Sequence, residues 1–233
     1  MTIYKGSQKE SKIYTGSTQI SKIYKGSTLI YSSDPYPIDT VLYENSTGGA
    51  TSSLNLEKGL YQVICVAGGG GAAVVYYASF RNQTSAGSGG SGAGFNCILS
   101  LDKGSYNISV GKGGTSYAKS SGQGTGGSGG NSSFGSAIAY AGTGGTAYNE
   151  TKAGTGGSGG SAPYIPYTIQ ISTLNKKGNN GTGTSSGTIS GGAAVYSSYG
   201  QGGNAKVTRG DGATYYSNAG NAGYVKVVYK GQP

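Results

Sequence analysis

Histidine and tryptophan are absent from this chain of 233 residues, which holds two cysteines, one methionine and five prolines. Without His the sequence lacks the side chain that most often serves as a general base near neutral pH and as a metal ligand. Two Cys are too few for a zinc site or a disulfide framework. Asp and Glu together number eight and stand singly, so no carboxylate pair is set for glycosidic chemistry. No apolar run approaches the roughly 20 residues that span a bilayer. The expectations are no enzyme activity, no metal, no cofactor and no membrane insertion.

Lys and Arg number 17, which leaves a net charge of +9 and a weak preference for anionic surfaces. Lys176 and Lys177 are the only adjacent basic pair, whereas a nucleic-acid interface wants a dense basic stripe, so nucleic acid is not an expected partner. Leu, Ile, Val and Phe number 36, about 15% of the chain, below the roughly 20% where disorder becomes the default. An ordinary apolar core cannot order the whole molecule.

The first thirty residues repeat with a period of ten: TIYKGSQKES, KIYTGSTQIS and KIYKGSTLIY. Each unit sets a Lys-Gly or Thr-Gly pair between β-favouring residues, which suits a two-residue hairpin loop. The reading is a small β-meander with strands near 7–14 and 17–24, half polar on both faces and marginal alone. It is expected to dock, with Ile3, Tyr4, Ile13, Tyr14, Ile23 and Tyr24 as its assembly residues. Residues 34–53 follow as a linker, stiffened by Asp34-Pro35-Tyr36-Pro37, and a first strand. Residues 54–233 form the remaining domain. Its best strands are 60–67, 95–101, 106–110 and 224–229, and no segment sustains a 3.6-residue apolar period, so helix should be nearly absent.

Glycine supplies 48 residues. The spacing Gly-x-Gly-Gly begins nine times, at Gly68, Gly87, Gly111, Gly124, Gly127, Gly142, Gly154, Gly157 and Gly200, where random placement gives about two. Residues 124–130 and 154–160 are the identical heptapeptide GTGGSGG. Set out in threes, it puts Gly in two columns and Thr or Ser in the third. Three residues per turn is the polyproline II period, a helix with no internal hydrogen bonds, whose amides must pair with neighbours. Two bare faces let such segments lie side by side, and the bonds they exchange offset the entropy that Gly loses. A bundle of polyglycine II helices is therefore expected in preference to a flexible Gly/Ser linker. Its regular Thr face, at Thr125, Thr143 and Thr155, is what an ice-binding or matrix protein would use.

Other motifs carry less. Gly-x-Gly-x-x-Gly at Gly87, Gly124 and Gly154 is followed by no helix, so it is not a dinucleotide site. Arg209-Gly210-Asp211 reads as a turn. Cys65 and Cys97, among Val, Ile and Leu, read as buried free thiols in preference to a disulfide. Tyrosine is the positive signal at 21 residues, clustered where the Gly pattern breaks: Tyr76 and Tyr77, Tyr164 and Tyr167, Tyr196 and Tyr199, Tyr215 and Tyr216. Tyr with Ser, Gly and Asn is the composition of adaptable recognition loops, so these eight are the candidate ligand-binding residues. Packing between subunits is the alternative use of the same rings.

The segments GLYQVICVAGGGG (59–71), GKGG (111–114), GGNSSFG (129–135) and GNAGYVKVVY (220–229) resemble the glycine-rich domain of bacteriophage tail fibres and related virion proteins. The same layout occurs in the glycine-rich extracellular module of the anaplastic lymphoma kinase type of receptor. The N-terminal KIYKGSTLIY is similar to segments that open phage structural proteins. The resemblance implies an all-β fold, a jelly-roll-like β-sandwich from which a bundle of polyglycine II helices is extruded, and binding or architecture in place of catalysis. It implies other virion proteins as partners, a homo-oligomer with the trimer favoured, and contact with host cell-surface glycan. A purely architectural capsid or tail decoration is the alternative. Residues 1–6 contain no apolar segment of the secretory kind, so the expected location is a virion made in the host cytoplasm and released by lysis.

Overall fold

The computed structural model describes residues 4–5, 8–9, 13–15, 18–20, 22–32, 34–76, 84–120, 122–148, 153–208 and 214–233, with backbone alone for 4–20 and 28–32. Among the described residues there is no α-helix, and the regular elements are strands and the hydrogen-bonded glycine rods between them.

Each N-terminal decapeptide closes its own antiparallel hairpin: β1 (Tyr4–Lys5) with β2 (Gln8–Lys9), β3 (Ile13–Thr15) with β4 (Thr18–Ile20), and β5 (Lys22–Lys25) with β6 (Thr28–Ser32). The pairs Lys5 with Gln8, Thr15 with Thr18 and Lys25 with Thr28 flank the turns. The loop therefore falls on Gly-Ser, one residue later than the Lys-Gly reading, and the repeat is realised as three two-stranded units in place of one continuous meander. Gly26 has φ +62° and Ser27 is not in the left-handed region, the arrangement of a type II′ turn with Gly first. In the third hairpin Gly26 takes the left-handed conformation that a side chain disfavours, so it fixes the turn.

A sandwich comes next. β7 (Val41–Asn45), β9 (Gly59–Val66), β12 (Gly94–Leu101), β19 (Thr168–Lys176) and β24 (Tyr224–Gly231) form a five-stranded antiparallel sheet in the order β19-β12-β9-β24-β7. β8 (Thr51–Leu56), β13 (Gly104–Ser109), β16 (Ser132–Phe134) and β17 (Ala137–Ala139) form a four-stranded antiparallel sheet in the order β17-β16-β13-β8. Alternate residues of both sheets meet in one core that includes Tyr61, Val63, Cys65, Phe95, Cys97, Leu99, Val227, Tyr229, Ile108 and Phe134. Cys65 and Cys97 are buried free thiols there.

Ten glycine-rich rods leave and re-enter this sandwich: rod 1 (67–72), rod 2 (88–93), rod 3 (111–116), rod 4 (124–131), rod 5 (140–147), rod 6 (154–161), rod 7 (177–183), rod 8 (190–194), rod 9 (199–204) and rod 10 (217–223). Odd rods run outward and even rods return. In rod 1 the amides of Ala67 and Gly70 donate to rod 2, those of Gly68 and Gly71 to rod 4, and those of Gly69 and Ala72 to rod 10, at 2.8–3.0 Å. Its carbonyls at Gly68 and Gly71 accept from rod 5, those at Gly69 and Ala72 from rod 3 and its continuation, and that at Gly70 from rod 9. Rod 2 behaves alike: Ser88 and Ser91 donate to rod 7, Gly89 and Gly92 to rod 9, Gly90 and Ala93 to rod 5. The direction of bonding turns through three neighbours every three residues, the signature of polyglycine II packing.

The bonds define a hexagonal layer plan of three rows: rods 4, 5 and 6; rods 3, 1, 2 and 7; rods 10, 9 and 8. Only rods 1 and 2 are enclosed on all sides, and the sequence reflects it. Rod 1 has four consecutive glycines at 68–71, and a Cβ at any of them would come closer than 3.0 Å to a neighbour's backbone. Rod 2 tolerates Ser88 and Ser91 because their buried hydroxyls join the bonding, accepting from the amides of Thr182 and Asn179 at 2.8 Å. Outer rods keep one column for Thr, Ser or Asn, as at Thr125, Ser128 and Asn131.

Candidate recognition surface at the distal end

At the far end of the rods the chain turns five times, and short strands knit the turns together. β10 (Ala73–Tyr76), β11 (Thr84–Gly87), β14 (Tyr117–Lys119) and β20 (Gly183–Thr184) make a sheet in the order β14-β10-β11-β20. β21 (Gly187–Ile189), β22 (Ala205–Val207) and β23 (Tyr215–Ser217) make a second. β15 (Gly124–Thr125) pairs with β18 (Thr146–Ala147). The first sheet is buried on both faces: Val74 and Ala86 pack on Ala205 and Val207, and Ala73 and Val75 pack on Ala147. Small residues suffice for this second core because the rods already hold the strand ends in place.

The side chains that remain outside are aromatic and cationic. Tyr76 and Tyr215 stack with centroids 3.4 Å apart and planes at 11°, and hydrogen bonding to Tyr215 pushes the Tyr76 phenol above its ordinary value. Tyr216 lies opposite Lys206 in the β22–β23 pair and Tyr215 and Tyr216 are 44% and 40% exposed. Ala205 and Val207 are buried, so Lys206 faces outward with Tyr216 and with Thr188, its other cross-strand neighbour. Lys119 sits over the Tyr117 ring, 5.6 Å from its centroid.

The eight candidate tyrosines divide between the two ends. Tyr76, Tyr215 and Tyr216 are distal, and Tyr77 lies outside the described residues. The others belong to the sandwich end. Tyr167 packs on Phe134 and Tyr106, and its hydroxyl accepts from the Ser136 amide at 2.8 Å. Tyr164 bridges to Ile138 and is 54% exposed. Tyr196 and Tyr199 both stack on Tyr224, with centroids 6.1 and 4.3 Å away, and cover the outer face of the five-stranded sheet over Ile64 and Val66. Tyr224 donates to Glu44 at 2.6 Å. Burial is the largest cause that pushes the Tyr224 phenol up, and the bond to Tyr224 is the largest that holds the Glu44 carboxyl down. Lys206 meets Tyr216 only through strand pairing, whereas Lys119 reaches Tyr117 because residues two apart on one strand, β14, share a face; neither Lys is singled out by the sequence.

At the opposite end the third N-terminal hairpin is keyed to the sandwich. The Lys22 ammonium lies 3.3 Å from the nearly buried Asp34 carboxylate, whose other oxygen accepts from the Tyr229 hydroxyl at 2.8 Å. A cleft of about 410 Å³ opens there between Lys22, Tyr24, Asp34, Pro35, Tyr36 and Ile38. Of the docking residues, Ile23 is half-buried and Tyr24 is 56% exposed at this cleft. Ile3 and the side chains of Tyr4, Ile13 and Tyr14 lie outside the described residues, as does Arg209-Gly210-Asp211. Among the described residues no group of His, Cys, Asp and Glu is placed to hold a metal ion, and no helix is long and apolar enough to cross a membrane.

A β-sandwich continuous with a lattice of glycine rods defines the class of the molecule. Residues 45–232 match the model of the glycine-rich domain, and the chain belongs to that family. None of the curated proteins matches it.

Proposed function

We propose that the chain is a non-enzymatic structural protein of a bacteriophage particle, a fibre, fibre tip or capsid fibre, which docks through its N-terminal repeats and presents its distal end to glycan on the host surface. The observation that carries this reading is polarity. Five out-and-back rod pairs bring the distal turns to one end, while the third hairpin and the C-terminal strand are tied together at the other through Lys22, Asp34 and Tyr229. A rigid spacer between an attachment end and a loop-bearing end is what surface recognition requires. A label fused before residue 1 should lie against the particle in electron micrographs and one inserted at Gly122 should point away. A distal label buried against the particle would leave a purely architectural decoration, a reading to which the mutual Tyr76–Tyr215 stack lends support.

Association of several copies is part of the proposal. β19 is an edge strand with Ile169 and Ile171 at 40% and 54% exposure and no charged side chain before Lys176, and long apolar edges of this kind pair with other strands. Light scattering on the purified chain should give a multiple of the monomer mass that Ile171→Lys lowers; a monomer at all concentrations contradicts it.

A further inference from the structure

The described ion pairs lie at one end of the molecule. All five described carboxylates sit at the sandwich end, each in an ion pair: Lys22–Asp34, Lys58–Asp102, Lys103–Glu57, Lys226–Glu44 and Lys230–Asp39. At the distal end Lys119 and Lys206 have no ion pair among the described residues.

Resting on the proposed function, we infer that the distal end recognises an anionic glycan, a polysaccharide bearing carboxylate, phosphate or sulfate. The chemistry follows from Lys206, Tyr216 and Thr188, which share one outward face of the β21–β22–β23 sheet. An exposed phenol ring offers an apolar face to the C–H side of a sugar at low entropic cost. The ammonium beside it makes a charge-assisted bond to the acidic substituent, and the Thr hydroxyl serves a sugar hydroxyl. Lys119 over Tyr117 repeats the cation-and-ring arrangement on the opposite side of the distal sheet, so a long chain meets more than one such pair. The Lys119 and Lys206 ammonium groups, in no ion pair among the described residues, attract the acidic substituents of a polyanion. A nucleic acid is the weaker fit, because the cations stand singly among Tyr and Thr and form no stripe.

The test uses the full chain and four immobilised probes: hyaluronan, dextran sulfate, neutral dextran and a DNA duplex. Both anionic glycans should bind and neutral dextran should not, with affinity falling as salt rises. Lys119→Ala with Lys206→Ala should weaken binding about tenfold or more with no change in melting temperature, while Lys58→Ala with Lys103→Ala at the sandwich end leaves it unaltered. Equal binding of neutral dextran, lost in Tyr216→Ala, overturns the charge inference and keeps distal recognition. Tighter binding of the duplex than of either glycan overturns it in favour of nucleic acid. No binding to any probe overturns both the inference and the recognition reading.

Discussion

The amide of Gly70 donates to the carbonyl of Gly90 at 2.8 Å, and these two residues lie at the centre of the two rods that neighbours enclose on every side. A Cβ on Gly70 would overlap the backbone of Thr143, and one on Gly90 the backbone of Ser158. Glycine is needed here for close approach, since neither residue has a positive φ. Gly70→Ala should cost about 2 kcal/mol or more, the upper range for overpacking, whereas Ser161→Ala on an open column should stay within about 0.5 kcal/mol. Thermal unfolding of the two variants checks the contrast.

The serines of rod 2 make a second comparison. The Ser91 hydroxyl accepts the Asn179 amide at 2.8 Å in a fully buried setting. Ser91→Ala keeps the volume of the column and removes the acceptor, so it should destabilise by about 1–3 kcal/mol, the cost of an unpaired buried donor. Denaturant unfolding measures it.

High pH should loosen the sandwich. Burial is the leading cause that pushes Tyr61 up to about 12, and it raises Tyr224 and Tyr229 as well. A phenol whose value is raised on folding gives its full stabilisation below its unfolded value near 10 and loses it as pH climbs through the folded value. Stability should therefore fall from pH 10 upward, and Tyr224→Phe should flatten part of that fall. Glu44, held low by Tyr224 and Lys226, acts in the opposite sense: its contribution is present above its ordinary value and lost as pH drops, and it is small because the group is exposed. Melting temperatures recorded across pH test both signs.

Asp34 joins the third hairpin to the C-terminal strand. Asp34→Ala removes the partner of Lys22 and leaves the Tyr229 hydroxyl with Gln232, 3.4 Å away. Limited proteolysis should then cut within residues 1–33 faster than in the parent chain, with the rods equally resistant in both.

The Thr face of the outer row bears on an ice-binding role. Thr125 and Thr146 share a hydrogen bond at 2.9 Å, and the Thr143 hydroxyl accepts the Ser158 amide at 2.7 Å. These hydroxyls bond across rods, so the chain should show no thermal hysteresis in a freezing assay.

What the residues reveal in advance differs by element. The triplet columns of 124–130 announce a rod with one open face, and the four glycines of 68–71 announce one with none, because column occupancy records how many neighbours crowd each side. The strands around Val63 and Val227 are equally plain from their apolar alternation. The division of the tyrosines was not readable: Tyr199 and Tyr215 look alike in composition, and only the rod directions send one to the sandwich and the other to the far end. Lys206 was hidden for the same reason, since its neighbour Tyr216 is ten residues away in sequence and one strand away in space.

Amide hydrogen exchange resolved by residue tests the glycine lattice most directly. Gly68, Gly69, Gly70, Gly71, Gly89 and Gly90 should exchange as slowly as Val63 and Val227 in the sandwich, opening only with global unfolding. Exchange of those glycines at the rate of a free Gly/Ser chain would contradict the account.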